Sequence, residues 1–350
     1  MRHLNWHGDR NSADDFAELA EYARTHPFDA DVYGQGKSLN AFEARIATLL
    51  GMEAAVFMPS GVMAQQVALR IWADQTHCRN VALHPSNHVE VNEHRAYAHL
   101  HDLRVLLLGG KTAPILAGDL KKCAEPLGTL LIELPLRRIG GILPAWEEQQ
   151  ALIAVAKERG IRLHLDGARL WETQAFYDRP LDELCRGFDS VYVSFYKGLG
   201  GLAGAMLLGS REFIAHARIW QRRHGGNLIT ILPFAVSAQL NFEKRAGRMK
   251  QYRDHAIALA AALQKLDGAE LKPAVPQVNM FHLYMHRPLE RIQAAHEKLM
   301  AADQIKICNL LLPSEQPGWC YTEIVVNDCA LEWTPDEVCA TFAKLLKLAS

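Results

Sequence analysis

The chain has 350 residues, 49% hydrophobic and 22% charged, with a formal net charge of -1. That is the composition of a soluble globular protein, long enough for a large core and two domains. The near-neutral balance gives no reason to expect nucleic acid or an anionic membrane as partner.

The opening stretch "MRHLNWHGDR" lacks the apolar core of a signal peptide, and no apolar run approaches membrane-spanning length. The first 39 residues are too short for a domain and are expected to dock on the domains that follow. "AAVFMPSG" (54–61) reads as strand and turn, and "VMAQQVALRIWA" (62–73) as the next helix. Further strands are predicted at "NVALH", "RVLLLG", "TLLIELP", "IRLHLD", "SVYVSF" and "GAMLLG". Between them, "WEEQQALIAVAKERG" (146–160) has helical periodicity, an acidic first turn, a basic last turn and Gly160 as stop. Such alternation predicts an α/β domain over 40–245, with a mostly parallel sheet and helices on both faces. Near residue 250 the pattern changes. A helical stretch, "QYRDHAIALAAALQKLDG", precedes strand candidates "NMFHLYMHR", "IKICNLLL" and "CYTEIVVN". The final helix, "TPDEVCATFAKLLKLA", opens with a capping box from Thr334 to Glu337 and Pro335 at its first position. These elements predict a smaller α+β domain over 246–350.

The seven cysteines are scattered and form no Cys-x-x-Cys pair, so they read as reduced thiols of a cytoplasmic protein. The sixteen histidines show no ligand spacing, and no metal site is expected. Two stretches carry chemistry. In "LHLDGARLWE" (163–172), Asp166 sits at the tip of an apolar strand, an expensive position unless a cation meets it. In "SVYVSFYKGLGGLAGAMLLG" (190–209), Lys197 stands at the mouth of another strand beside glycines that let a ligand approach the backbone. A lone lysine there reads as a solvated turn residue. The glycines fit a loose dinucleotide fingerprint, but a strand-like run follows them instead of a phosphate-capping helix. Together, the acid and the lysine suit pyridoxal phosphate (PLP). That cofactor needs a lysine to hold its aldehyde and a carboxylate to keep its pyridine nitrogen protonated. They lie about 30 residues apart, one strand-helix-strand unit.

"LHLDGARLWE" and "SFYKGLGGLAG", with "DADVYGQGKSLNAFEARIATLLGMEAAVFMPSGVMAQQVAL" (29–69), resemble the threonine aldolase branch of the β-eliminating lyases. These are fold-type-I PLP enzymes, whose large domain is of the aspartate aminotransferase kind. The resemblance runs over most of the chain and implies retro-aldol cleavage of a β-hydroxy-α-amino acid to glycine and an aldehyde, a reaction of amino acid metabolism. It further implies a homodimer or homotetramer with the active site at the subunit interface. By position, Lys197 would hold the cofactor, Asp166 would face its ring nitrogen, and Ser60 with Gly61 would bind its phosphate at a helix N-terminus. His88 would stack on the ring, and Arg169 would orient cofactor or substrate carboxylate. Tyr33, Glu93 and Arg222 fall on family positions near the substrate or the interface.

There are departures from the family pattern. Val62 stands where a threonine is common. Leu136, followed by Arg137 and Arg138, stands where members often have a histidine for the substrate hydroxyl. Gly8 replaces a carboxylate-binding serine, and Glu323 falls near the position of a carboxylate-binding arginine. Arg137, Arg138 or Arg222 could then supply the missing cation. Leu136 would make one wall of the site apolar and favour a larger Cβ substituent over threonine. Two alternatives share the skeleton: a β-eliminase, dehydratase or aminotransferase acting on another amino acid, and a non-catalytic PLP-fold protein.

Overall fold

In the computed structural model, which describes residues 1–9 and 11–350, the apolar runs of the middle of the chain become one sheet. Its strands are β1 (Ala54–Met58), β2 (Asn80–Leu83), β3 (Arg104–Leu107), β4 (Thr129–Glu133), β5 (Arg162–Gly167), β6 (Ser190–Ser194) and β7 (Ala205–Gly209). The spatial order is β1-β7-β6-β5-β4-β2-β3. Neighbours from β3 through β6 pair in parallel, and β7 is antiparallel to both β6 and β1. Strands β6 and β7 are buried at every position, as a sheet covered on both faces requires. Every strand predicted between residues 54 and 209 is present.

The sheet belongs to a unit made of Phe16–Arg138 and Leu143–Gly247. A second unit comprises Met1–Asp15, Ile139–Ile142 and Arg248–Ser350. The first 39 residues are therefore shared between the two units. The second unit holds an antiparallel sheet of β8 (Ala269–Lys272), β9 (Met280–Met285), β10 (Leu311–Pro313) and β11 (Cys320–Val325), ordered β10-β11-β9-β8. The capping box forms as expected: the Thr334 hydroxyl accepts from the Glu337 N–H, and the Glu337 carboxylate accepts from the Thr334 N–H. The run "IKICNLLL" does not form a single strand. Ile305–Lys306 pairs with Arg2–His3, and only Leu311–Pro313 joins the larger sheet. Between them the Ile307 and Cys308 N–H groups donate to the His296 ring instead of a ladder. Among the described residues no helix is long and apolar enough to cross a membrane.

One buried relay fixes the helix Gly61–Thr76 to the sheet. Trp72 Nε1 donates to the Ser190 hydroxyl at 2.7 Å, Ser190 bonds His164 Nδ1 at 2.7 Å, and His164 Nε2 bonds Gln65 Oε1 at 2.6 Å. Burial lowers the His164 pKa to about 3, so its ring is neutral and can accept from Ser190 while donating to Gln65. The Ser190→Ala substitution strands the Trp72 N–H and His164 Nδ1 in the core. Leaving two such groups without partners should cost of order 2–4 kcal/mol in denaturant unfolding. Adding Trp72→Phe should recover part of that loss.

Candidate active site

A cleft opens at the carboxyl ends of β4, β5 and β6, the edge where parallel sheets place their ligands. Its walls include His88, Glu133, Arg137, Arg138, Asp166, Arg169 and Lys197. The two stretches that carry chemistry in the sequence thus meet in one place. Asp166, only 2% exposed, accepts the Ala168 N–H through Oδ1 at 3.1 Å. Burial pushes its pKa up, and the chief opposing influence is the charge of Lys197. Lys197 is therefore the cation that the strand-tip acid requires. Its own pKa is lowered by burial and by the Arg169 guanidinium, against the pull of Asp166 and Glu133.

Glu133 was not anticipated, although it ends β4 just as Asp166 ends β5. The two are register partners on adjacent parallel strands, about 4.8 Å apart. Burial and the neighbouring Asp166 charge raise the Glu133 pKa. The Asn87 amide donates to one Glu133 oxygen at 3.0 Å and the Arg137 N–H to the other at 3.3 Å. Since "TLLIELP" ends its apolar run on a carboxylate in the same way, the signal was present in the sequence.

His88 begins the short helix His88–Val91, and its Nδ1 bonds Glu93 Oε1 at 2.9 Å. Glu93 Oε2 accepts from the Gln66 amide at 2.8 Å. Glu93 is buried, outside the cleft lining, and holds the His88 ring. Arg169, 5% exposed, lines the cleft just before the helix Leu170–Tyr177. Behind it lies Glu172, another acid that was not anticipated, 1% exposed and pushed up to about 7 by burial against the charges of Arg169 and Lys197. A Cβ at Gly198 would fall onto a Glu172 carboxylate oxygen, which explains the glycine after Lys197.

Ser60 caps the helix Gly61–Thr76, its hydroxyl accepting from the Met63 N–H at 3.3 Å. The Gly61 N–H donates to the Tyr196 hydroxyl at 3.3 Å, and a Cβ on Gly61 would strike the Tyr192 hydroxyl. Ser60 and Gly61 are not part of the cleft lining. Neither are Tyr33, half exposed with its N–H bonded to the Ile229 carbonyl, nor Arg222, exposed on the helix Arg211–Arg223. The expected apolar wall is corrected as well. Leu136 is buried and lines a neighbouring cavity with Ile115, Leu131 and Leu152, leaving Arg137 and Arg138 on the cleft side. Gly8 and Glu323 belong to the other unit.

The donor set fits PLP. A desolvated carboxylate at a strand tip, an amine of lowered pKa on the next strand's loop and a serine-capped helix N-terminus supply partners for a pyridinium, an aldehyde and a phosphate. The sequence profile of the beta-eliminating lyases matches residues 14–286. The chain belongs to the beta-eliminating lyase family. Among solved structures, a Listeria monocytogenes EGD-E protein provisionally assigned as an L-allo-threonine aldolase superposes with a TM-score of 0.92 at 41% identity, covering 99% of this chain and 96% of that one. One from Exiguobacterium sp. 255-15, provisionally an aromatic amino acid beta-eliminating lyase/threonine aldolase, gives 0.92 at 40% identity, covering 99% and 97%. The low specificity L-threonine aldolase of Escherichia coli K12 is 27% identical over 263 residues, 72% of this chain and 77% of its own length. A Sphingomonas wittichii serine palmitoyltransferase, 15% identical with a TM-score of 0.70, shares the fold. As a member of this family, the chain has PLP as its expected cofactor.

Glu172 generates a pH dependence. Its carboxyl titrates near 7 when folded and near 4.5 when unfolded, so the native state holds the extra proton between those values. The cofactor-free protein should therefore lose stability as pH rises through that window, by of order 3 kcal/mol from this group. Glu172→Gln should remove that component, and denaturant unfolding of both proteins from pH 4.5 to 8 measures the difference.

Proposed function

We propose that the protein is a PLP-dependent carbon–carbon lyase that splits a β-hydroxy-α-amino acid into glycine and an aldehyde. The observation that carries this reading is the meeting of Asp166 and Lys197 at neighbouring strand ends. The named threonine aldolase relatives support the choice of reaction.

Bound in the cleft, PLP supplies a sink for the electron pair left on Cα when the Cα–Cβ bond breaks. In this reading Asp166 holds a proton on the ring nitrogen, and its desolvation strengthens that ion pair. Lys197, its pKa lowered by burial and Arg169, is the amine for covalent capture and for proton transfer at Cα. Ser60 and the N-terminus of its helix would hold the phosphate. The His88 ring, held through Nδ1 by Glu93, would pack against the cofactor, and Arg169 would take the substrate carboxylate.

The functional unit in this reading is a cytoplasmic homodimer or homotetramer. Val32, Tyr33 and Ile229 are 57%, 52% and 60% exposed, and the Tyr33–Ile229 backbone bond gathers them into an apolar patch. A second subunit covering that patch would let Tyr33 and Arg222 serve a neighbouring site. The beta-eliminating designation of the Exiguobacterium neighbour keeps β-elimination as the second reading.

Borohydride treatment of the PLP-loaded protein should leave a covalent adduct on Lys197, and Lys197→Ala should lose it. A mapped adduct on another lysine would overturn the assignment. The Asp166→Ala variant should still bind PLP while turnover falls at least 100-fold. Products from threonine, allo-threonine and phenylserine decide the chemistry: glycine with an aldehyde supports the lyase, and ammonia with a keto acid identifies an eliminase.

A further inference from the structure

We infer that Glu133 is the general base of the reaction, the group that takes the proton of the substrate's β-hydroxyl as the Cα–Cβ bond breaks. This rests on the lyase reading above, since only a β-hydroxy substrate presents that proton. Apart from its arginines, the cleft lining holds four titratable side chains, His88, Glu133, Asp166 and Lys197. In the lyase reading three of them are committed to the cofactor: Asp166 to its ring nitrogen, Lys197 to its aldehyde and His88 to its ring. Glu133 is left to serve the substrate. Glu172, the other acid pushed up to about 7, lies outside the lining.

The Glu133 carboxyl is held in place by uncharged donors. Asn87 Nδ2 donates to Oε2 at 3.0 Å, the Arg137 main-chain N–H donates to Oε1 at 3.3 Å, and the His88 N–H acts on the same group. Asn87 is itself fully buried and pinned, its Oδ1 accepting from the Val89 N–H at 2.9 Å. An ionised carboxyl has about four acceptor sites, so these donors leave room for a substrate hydroxyl. Burial, and after it the Asp166 charge, raises the Glu133 pKa to about 7, against the Arg137 and His88 N–H groups and the Lys197 charge. These neighbours come from each element that meets it: Asp166 from β5, Lys197 from the loop after β6, His88 from the short helix, Arg137 from its own loop. A carboxyl that titrates near neutrality can take a proton and return it within one turnover.

The step balances without a co-reactant. The β-hydroxyl proton passes to a Glu133 oxygen, and the O–H electron pair becomes the second C–O bond of the aldehyde. The Cα–Cβ pair stays on Cα, which then takes a proton to give glycine. Glu133 gives up its proton before the next turnover, so none is consumed.

The test uses PLP-loaded protein and a control ligand without a hydroxyl, glycine. Glu133→Gln should lower kcat for the best of threonine, allo-threonine and phenylserine by about 100-fold or more, the usual share of a general base. Glycine affinity, read from cofactor absorbance, and exchange of the glycine α-proton with D2O, read by NMR, should be little changed. The wild-type kcat should fall toward acid pH as the base is protonated, and the Gln variant should lack that fall. Glu133→Asp, one methylene shorter, should keep the fall and more of the activity than Gln. It also carries the test where the Gln variant does not fold: cleavage should drop while glycine exchange does not. Cleavage that survives both substitutions overturns the inference and leaves the lyase reading standing. A parallel loss of glycine exchange also overturns it, because Glu133 would then be a prop for Asp166. So does an acid fall that persists in the Gln variant and is lost in His88→Gln. If the wild-type protein exchanges glycine but cleaves no β-hydroxy amino acid, the lyase reading falls and takes the base with it.

Discussion

A carboxylate at the end of a buried strand is the constraint around which this site is organised. Asp166 and Glu133 are register partners on adjacent strands, where water is excluded and the Asp166 charge raises the proton affinity of Glu133. Ionising either requires a cation inside the cleft, and the Lys197 loop supplies it. In turn, the carboxylates raise the proton affinity of the lysine, while burial and Arg169 lower it. These groups are poised by their surroundings, and a protonated pyridine fits the place where negative charge is least well solvated.

The remainder of the large unit serves to hold those groups still. The Trp72–Ser190–His164–Gln65 relay ties the helix that begins at Gly61 to β5 and β6, the strands that deliver Asp166 and Lys197. Gln66, the residue after Gln65, holds Glu93, which holds His88. One helix thus positions the proposed phosphate end through its first turn and the stacking histidine through its second. Gly61 and Gly198 mark where side chains come closest, against Tyr192 and Glu172.

The composition of the cleft bears on substrate choice in a different way. Leu136, in the loop after β4, lines an apolar cavity beside the cleft. The next two residues then meet the cleft as arginines.

Much of the fold and the cofactor site was legible in the sequence. The strands of the large sheet, apart from the edge strand β3, show as short apolar runs because both faces are buried, and the capping box at Thr334 is a local pattern with a local cause. Asp166 and Lys197 could be paired because one strand-helix-strand unit brings consecutive strand ends side by side. Other features depend on contacts that no local pattern encodes. The Glu133–Asp166 pairing is a matter of register between strands over thirty residues apart in the chain. Whether Leu136 or Arg137 faces the cleft depends on how the chain turns after β4. The break in "IKICNLLL" follows from a distant histidine, His296, capturing two backbone N–H groups. Hydrophobic periodicity and strand-end chemistry travel with the sequence, whereas the direction of a side chain beyond a strand end is decided by what packs against it.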